Sequence, residues 1–372
     1  MRSWEHVVIG AGFAGAATAY HLARSGAGGV LVVEQEPVPG FHASGRNAAM
    51  IRQCVPDEAL QPLARDGAAF LRALPPDWQV PVGFKRNGSL LLASGDGVER
   101  LRRDTEVGRR LGIEVEFWTP EQARRRVPVL EGAEFDGAAW CATDGVVDIH
   151  ALLTGYLKGA AARGVEIRYG CAVRSIRRAA GGFEVATGEE VVRARTIINA
   201  AGAWANAVAR MAGAAELPLR ACRRHLFVSG PLSWVDSGWP FVWDVSHDFY
   251  FRPEGEGLLL CACDQDEFPP GDPPVDPAVG EALAEKIARC VPRLARVSIQ
   301  RCWAGLRTLS GDGKFVIGWD PRLEGFFWVA GLGGHGVTTS AAVGALAARL
   351  VRGGETEPSF SPARFDAWRS GA

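Results

Sequence analysis

The sequence predicts an α/β fold: a Rossmann-like dinucleotide-binding domain with a second, antiparallel-sheet domain inserted into it. Three observations predict it. Residues 7–15 read Val-Val-Ile-Gly-Ala-Gly-Phe-Ala-Gly, an apolar strand running into a glycine turn. A second apolar run, Val30-Leu31-Val32-Val33, ends on Glu34, nineteen residues after Gly15. Near the other end, Phe326-Phe327-Trp328-Val329-Ala330 runs into Gly331-Leu332-Gly333-Gly334-His335-Gly336 and then an Ala-rich helix, Val337 to Val351.

Each part of the first unit has a physical task. Gly10 permits the tight turn out of the strand, Gly12 lets backbone approach a pyrophosphate, and Gly15 lets the helix at 16–23 pack on the sheet. Free N–H groups and the dipole at the helix start favour phosphate. Glu34 can accept hydrogen bonds from a ribose 2′-OH and would repel a 2′-phosphate. The glycine-rich turn 331–336 before a helix repeats this anion-friendly geometry.

Between these ends, residues 149–163 read as a helix and 165–169 and 172–177 as strand pieces. Gly181-Gly182 turns into Phe183-Glu184-Val185, and 191–198 form a strand that delivers Asn199-Ala200-Ala201-Gly202-Ala203-Trp204. Small residues at the end of a buried parallel strand face the ligand crevice of an open α/β sheet. Residues 223–262 are aromatic and strand-like, and 278–291 read as a helix. Pro-rich loops stand at 74–76 and 268–274. There is no short-period repeat. The expected division is 1–50, 145–215 and 300–372 for the cofactor domain, with 51–144 and 216–299 for a substrate domain.

At 372 residues and 47% hydrophobic content, the chain can bury a large core. A net charge of −1 gives no general attraction to nucleic acid or anionic membrane. No apolar run is long enough for a transmembrane helix. Cys54, Cys141, Cys171, Cys222, Cys261, Cys263, Cys290 and Cys302 show no zinc-like pairing, and no metal site is expected. The chain enters a strand at once, leaving no room for a signal peptide. The expectation is a cytoplasmic protein with reduced thiols.

These motifs, with Gly40-Phe41-His42-Ala43-Ser44-Gly45-Arg46-Asn47-Ala48-Ala49, Trp303-Ala304-Gly305-Leu306-Arg307 and Thr339-Ser340-Ala341-Ala342, resemble the FAD-dependent D-amino acid oxidase (DAO) family. The family has a glutathione-reductase-2-like fold and includes glycine oxidase, sarcosine oxidase and D-amino acid dehydrogenases. The resemblance is strongest to the bacterial D-arginine dehydrogenase branch. It implies FAD held by Gly10, Gly12, Ala14, Gly15, Glu34 and Gln35. It also implies Ala43, Ser44, Gly45, Arg46, Asn47, Ala48 and Ala49 around the pyrophosphate and flavin, with Val173 at the adenine. Gly202, Trp204, Gly305, Gly333, Gly334, His335, Gly336, Val337 and Thr338 complete the implied set. Donors at that last turn would stabilise the anionic reduced flavin.

The resemblance also assigns a substrate grip. Arg307 offers a bidentate fork to a carboxylate. Arg223 or Arg224 is a second grip, and the resemblance favours Arg223. Tyr250 can hydrogen-bond the carboxylate, and His335 lies beside the flavin where the relative carries tyrosine. Met50, Val55, Ser89 and Gly334 line the implied substrate pocket. D-arginine dehydrogenase carries a glutamate for the cationic side chain where this chain has Gly88 or Ser89. It carries a histidine and a tyrosine where this chain has Met50 and Val55. The cation-recognition chemistry is therefore missing, unless Asp96 or Glu99 supplies it, and a neutral or apolar D-amino acid is expected.

Two further departures bear on mechanism. The covalently flavinylated sarcosine oxidases carry a cysteine where this chain has Gly305, so noncovalent FAD is expected. Their oxygen-activating lysine has no counterpart in 257–263, which points to poor oxygen reactivity. The sequence leaves the electron acceptor open between a quinone and oxygen.

The implied reaction is hydride transfer from Cα of an unprotonated amine to flavin N5. It leaves an imino acid that hydrolyses to a 2-keto acid and ammonia. The alternative within enzymes is a sarcosine- or proline-type secondary amine oxidase using oxygen. A hydroxy acid dehydrogenase, an NAD-dependent enzyme and a flavin-binding protein without turnover are weaker alternatives.

Overall fold

The computed structural model describes residues 1–188 and 190–366. The end of the expected 300–372 segment, residues 367–372, lies outside the described residues. Strand Ser3–Ile9 forms the heart of an eight-stranded sheet. It pairs in parallel with Val30–Val33 on one side and with Glu190–Asn199 on the other. Glu190–Asn199 pairs in parallel with Phe326–Ala330, so both ends of the chain build one sheet. Val30–Val33 and Phe326–Ala330 are buried along their whole length, which is why they read as unbroken apolar runs.

The two glycine turns lead into helices Phe13–Arg24 and Gly336–Val351. These helices pack closely, because a Cβ on Gly344 would lie 2.6 Å from the Ala17 backbone. The expected helices near 149–163 and 278–291 are Ile149–Ala161 and Pro277–Cys290. Asp148 and Asp276 cap their N-termini through side-chain acceptors.

A second sheet of eight strands runs in the spatial order 299–310, 219–229, 257–261, 249–254, 241–244, 89–93, 137–141 and 115–118. Its pairings are antiparallel except that Phe241–Asp244 runs parallel to Ser89–Ala93. The architecture is thus a Rossmann-like α/β domain with an inserted antiparallel sheet. Strand Ile299–Ser310 belongs to the second sheet, not to the first as the boundary at 300 supposes. Pairing with Leu219–Ser229 from Leu219↔Ser310 to Ser229↔Ile299 places it at the sheet edge. Among the described residues, no helix is long and apolar enough to cross a membrane.

Candidate active site

One cleft runs from Glu34 at the end of the second strand to Arg307 on the edge strand of the antiparallel sheet. At its first end, Gly10 adopts φ +105° and a Cβ there would lie 2.5 Å from the Ala200 carbonyl oxygen. The turn is therefore closed to any larger residue. The Glu34 carboxylate accepts the Ala11 N–H at 2.7 Å and the Glu36 N–H at 3.0 Å, which fixes it at the mouth of the turn. Ser44 Oγ accepts the Phe13 N–H at 2.9 Å, tying the 40–49 loop to the helix start. Gly12, Ala14, Gln35, Ala43, Arg46, Val173, Gly202 and Trp204 line this stretch.

The loop continues toward the second sheet. Asn47 bonds the Ser44 carbonyl and accepts the Ala49 N–H at 2.8 Å each, and Ala49 sits at φ +59°. Buried Arg252 donates to the Ala48 carbonyl at 2.7 Å. Ala48, Ala49 and Met50 line the cleft together with Gly333, Gly334, Gly336 and Val337 of the second glycine turn. A Cβ on Gly305 would lie 3.1 Å from the Arg46 Cβ, so glycine there lets strand and loop meet. A long crevice with a glycine turn, a carboxylate at one end and a helix N-terminus at the other fits a dinucleotide extended as in FAD.

The substrate end is set by strand register. Residues directly opposite one another in an antiparallel pair share a face, and successive residues alternate. Arg307 stands opposite Cys222, and Arg224 stands opposite Gly305. Arg224 and Arg307 therefore lie on one face, the cleft face, with Leu226 and Gly305. Arg223 points to the other side. It pairs with Asp276 at 3.1 Å and Asp266 at 3.6 Å and does not line the cleft. The sequence preference for Arg223 over Arg224 is thus corrected by one residue of parity.

Tyr250 and Trp243 complete this wall, with ring centroids 4.9 Å apart. Arg52 stacks on Trp243 at 4.7 Å. Arg52 and Trp243 escaped attention because single residues without a motif carry no signal, and Arg224 was named only as the less favoured alternative to Arg223. Only alternation relative to Arg307 could have pointed to Arg224.

Several expected residues lie elsewhere. Val55 is 1% exposed in the core under the first sheet, and Ser89 is fully buried, donating to Asp144 at 2.7 Å. Gly15 and Gly45 are packing positions: a Cβ would meet the carbonyl oxygens of Gly10 and Gly40 at 1.9 and 2.1 Å. Thr338 accepts the Arg52 N–H at 3.1 Å and bonds the Met50 carbonyl at 3.3 Å, so it holds the wall without lining the cleft. His335 is the N-cap residue of the last helix and is also outside the lining.

The electrostatics follow from burial. The Nε and Nη2 atoms of Arg307 and the Nε of Arg224 are buried without a partner. Burial, and then the Arg224 guanidinium, pull Arg307 down to about 10, leaving it charged at neutral pH. Burial, then Arg52 and Arg307, draw His335 down to about 3. Burial raises the Tyr250 phenol, so it stays protonated. Burial opposes ionisation of the Cys261 thiol, but a hydrogen bond with Cys263, then Arg224 and Tyr250, outweigh it and draw the group downward. Among the described lining residues Glu34 is the only carboxylate, and it lies at the far end. Two buried guanidiniums with no carboxylate on their face make this end of the cleft electropositive and suited to an anion.

A family model for FAD dependent oxidoreductases (DAO) matches residues 5–350. The chain belongs to this DAO family. It is an FAD-dependent oxidoreductase, and the cofactor is noncovalent. It is 27% identical over 368 residues to the mitochondrial sarcosine dehydrogenase of Mus musculus, covering 94% of this chain and 40% of that protein. The chain thus spans about two fifths of that relative's length. It is 27% identical to the sarcosine oxidase subunit beta of Rhizobium meliloti, covering 99% of this chain and 89% of that one. The fold matches the L-proline dehydrogenase of P. horikoshii with a TM-score of 0.89 and 25% identity, covering 99% of both chains.

Proposed function

We propose that the chain oxidises the C–N bond of a secondary α-amino acid, N-alkylated or cyclic, to an imine. The carrying observation is the pair Arg307 and Tyr250 at the end of the cleft, a charged fork with partnerless buried nitrogens beside a protonated phenol. The similarity to proteins acting on sarcosine and proline supports a secondary amine over a primary one. With Glu34 the only carboxylate among the described lining residues, nothing at the Arg307 end would hold a cationic side chain.

FAD, when bound, supplies the hydride acceptor. The chain's own residues do the rest. Arg307 takes the substrate carboxylate through a bidentate contact, and Tyr250 donates a third hydrogen bond, which together fix the orientation of the adjacent C–H bond. His335, which does not line the cleft, stays neutral and adds no charge to the site. The substrate amine must be unprotonated. Its lone pair closes the C=N bond as hydride leaves, and water then opens the imine to a carbonyl compound and an amine. Deamination of a neutral primary D-amino acid is the second reading, because Arg307 and Tyr250 grip the carboxylate and not the nitrogen substituent.

The test is anaerobic bleaching of the flavin band with sarcosine, D- and L-proline and N-methylalanine, against D-alanine, D-leucine and D-arginine. Bleaching by the secondary amines is expected. Bleaching by primary D-amino acids alone would replace this reading with the second. Admitting air afterwards separates oxidase from dehydrogenase behaviour.

A further inference from the structure

We propose that the substrate carries two carboxylates, one for Arg307 and one for Arg224, making it a dicarboxylic secondary amine. This deepens the amine-oxidising reading of the cleft and rests on it. The argument begins with how the chain treats three guanidiniums on two neighbouring strands. Arg223, on the face away from the cleft, is given Asp276 and Asp266. Arg224 and Arg307, on the cleft face, form no ion pair with a carboxylate among the described residues.

Arg224 is 7% exposed, and its Nε is buried without a partner. Its Nη1 meets the sulfur of Cys261 at 3.7 Å, a thiol that Arg224 helps draw toward ionisation, and among the described residues no carboxylate forms an ion pair with it. The acid nearest in sequence to this sheet face, Asp264, is already engaged. Its oxygens accept the His225 N–H at 2.9 Å and meet His225 Nδ1 at 2.7 Å. A third cation behind the wall, Arg52, lies over Trp243 and has Asp104 and Asp144 within its field.

Leaving a buried guanidinium unpaired is costly. One carboxylate brings a single negative charge to two of them. Two carboxylates bring charge balance and an oxygen pair for each fork. Arg224 and Arg307 are diagonal neighbours on adjacent strands, not a directly opposed pair, so each offers its own fork to the cleft face. Met50, Leu226 and Trp243 supply an apolar lining between the polar ends.

The test uses the wild-type holoenzyme and matched pairs that differ by one carboxylate: sarcosine against iminodiacetate, and N-methylalanine against N-methylaspartate. The expected result is kcat/KM at least about 100-fold higher for the dicarboxylates. Arg224→Met should abolish that preference, lowering kcat/KM about 100-fold more for the dicarboxylates than for the monocarboxylates. Equal rates within each pair in the wild type would overturn the proposal while leaving the secondary-amine reading intact. So would an Arg224→Met variant that slows both members equally, since both forks would then share one carboxylate. A binding measurement needs no variant and no turnover. Thiodiacetate should perturb the flavin spectrum at about 100-fold lower concentration than (methylthio)acetate, and equal affinities would overturn the proposal.

Discussion

Arg307 stands opposite Cys222 and Arg224 stands opposite Gly305, which puts both guanidiniums on the cleft face of two paired strands. The same register turns Arg223 outward to Asp276. The glycine opposite Arg224 leaves the space that the Arg46 segment occupies. The arrangement couples the anion site to the loop that borders the cofactor crevice.

Replacing Arg307 with lysine keeps the charge but removes the planar fork. Loss of a bidentate, charge-assisted contact in a buried site should lower kcat/KM about 100- to 1,000-fold. Flavin content should be unchanged. Stopped-flow flavin reduction reads both, and a loss below about threefold would remove Arg307 from the carboxylate site.

The pH dependence should belong to the substrate. His335, drawn down to about 3 by burial and by Arg52 and Arg307, is neutral through the working range. Tyr250, raised by burial, keeps its proton well into alkaline solution. The reduction rate should therefore rise with pH as the substrate amine deprotonates, then level off. Cys261, close to Tyr250 and Arg224, is drawn downward into the range between them, by Cys263, Arg224 and Tyr250 acting against burial. The limb should remain in His335→Asn and in Cys261→Ser. Its disappearance in either variant would identify that side chain as the titrating group.

The glycine turns and both apolar strand–helix units were legible because they are local patterns: one periodicity and one turn chemistry each. What was not legible depended on pairing between distant segments. Arg223 and Arg224 are adjacent and identical in chemistry, and only their register against Ile299–Ser310, some eighty residues later, decides which faces the cleft. Ser89 and Val55 fell to the same limit. One is consumed by a hydrogen bond to Asp144, the other by the core beneath the first sheet. Arg52 and Trp243 acquire their place through contact with each other, which no spacing in the chain announces.

The two fingerprint glycines should fail differently. A Cβ on Gly12 would lie 2.8 Å from Ser44 Oγ, the far end of a small side chain that can shift. Gly12→Val should therefore fold but carry less than about a tenth of the flavin, because bulk at that turn excludes the pyrophosphate. Gly10→Ala adds strain at φ +105° and a contact of 2.5 Å to rigid backbone. It should lose about 1–3 kcal/mol of stability as well as flavin. Flavin absorbance and thermal melting separate the two. Equal melting temperatures would contradict the distinction.

Asp144 should make stability depend on pH in the direction opposite to most carboxylates. It is fully buried, accepting Gln53 N at 3.1 Å, Gln53 Nε2 at 2.8 Å and Ser89 Oγ at 2.7 Å. Burial pushes it up from 3.8 to about 6, and these hydrogen bonds pull the other way without cancelling the rise. The folded state thus binds the proton more tightly than the unfolded state. The contribution is fully present below pH 3.8 and is lost as pH rises through about 6. The shift corresponds to a change on the order of 3 kcal/mol across that window. Asp144→Asn holds the neutral form at every pH and should flatten the stability slope between the two values. Denaturant melts of both proteins across that range, at matched flavin occupancy, would show it. A slope unchanged by the substitution would mean that Arg52 and the surrounding donors keep the carboxylate ionised.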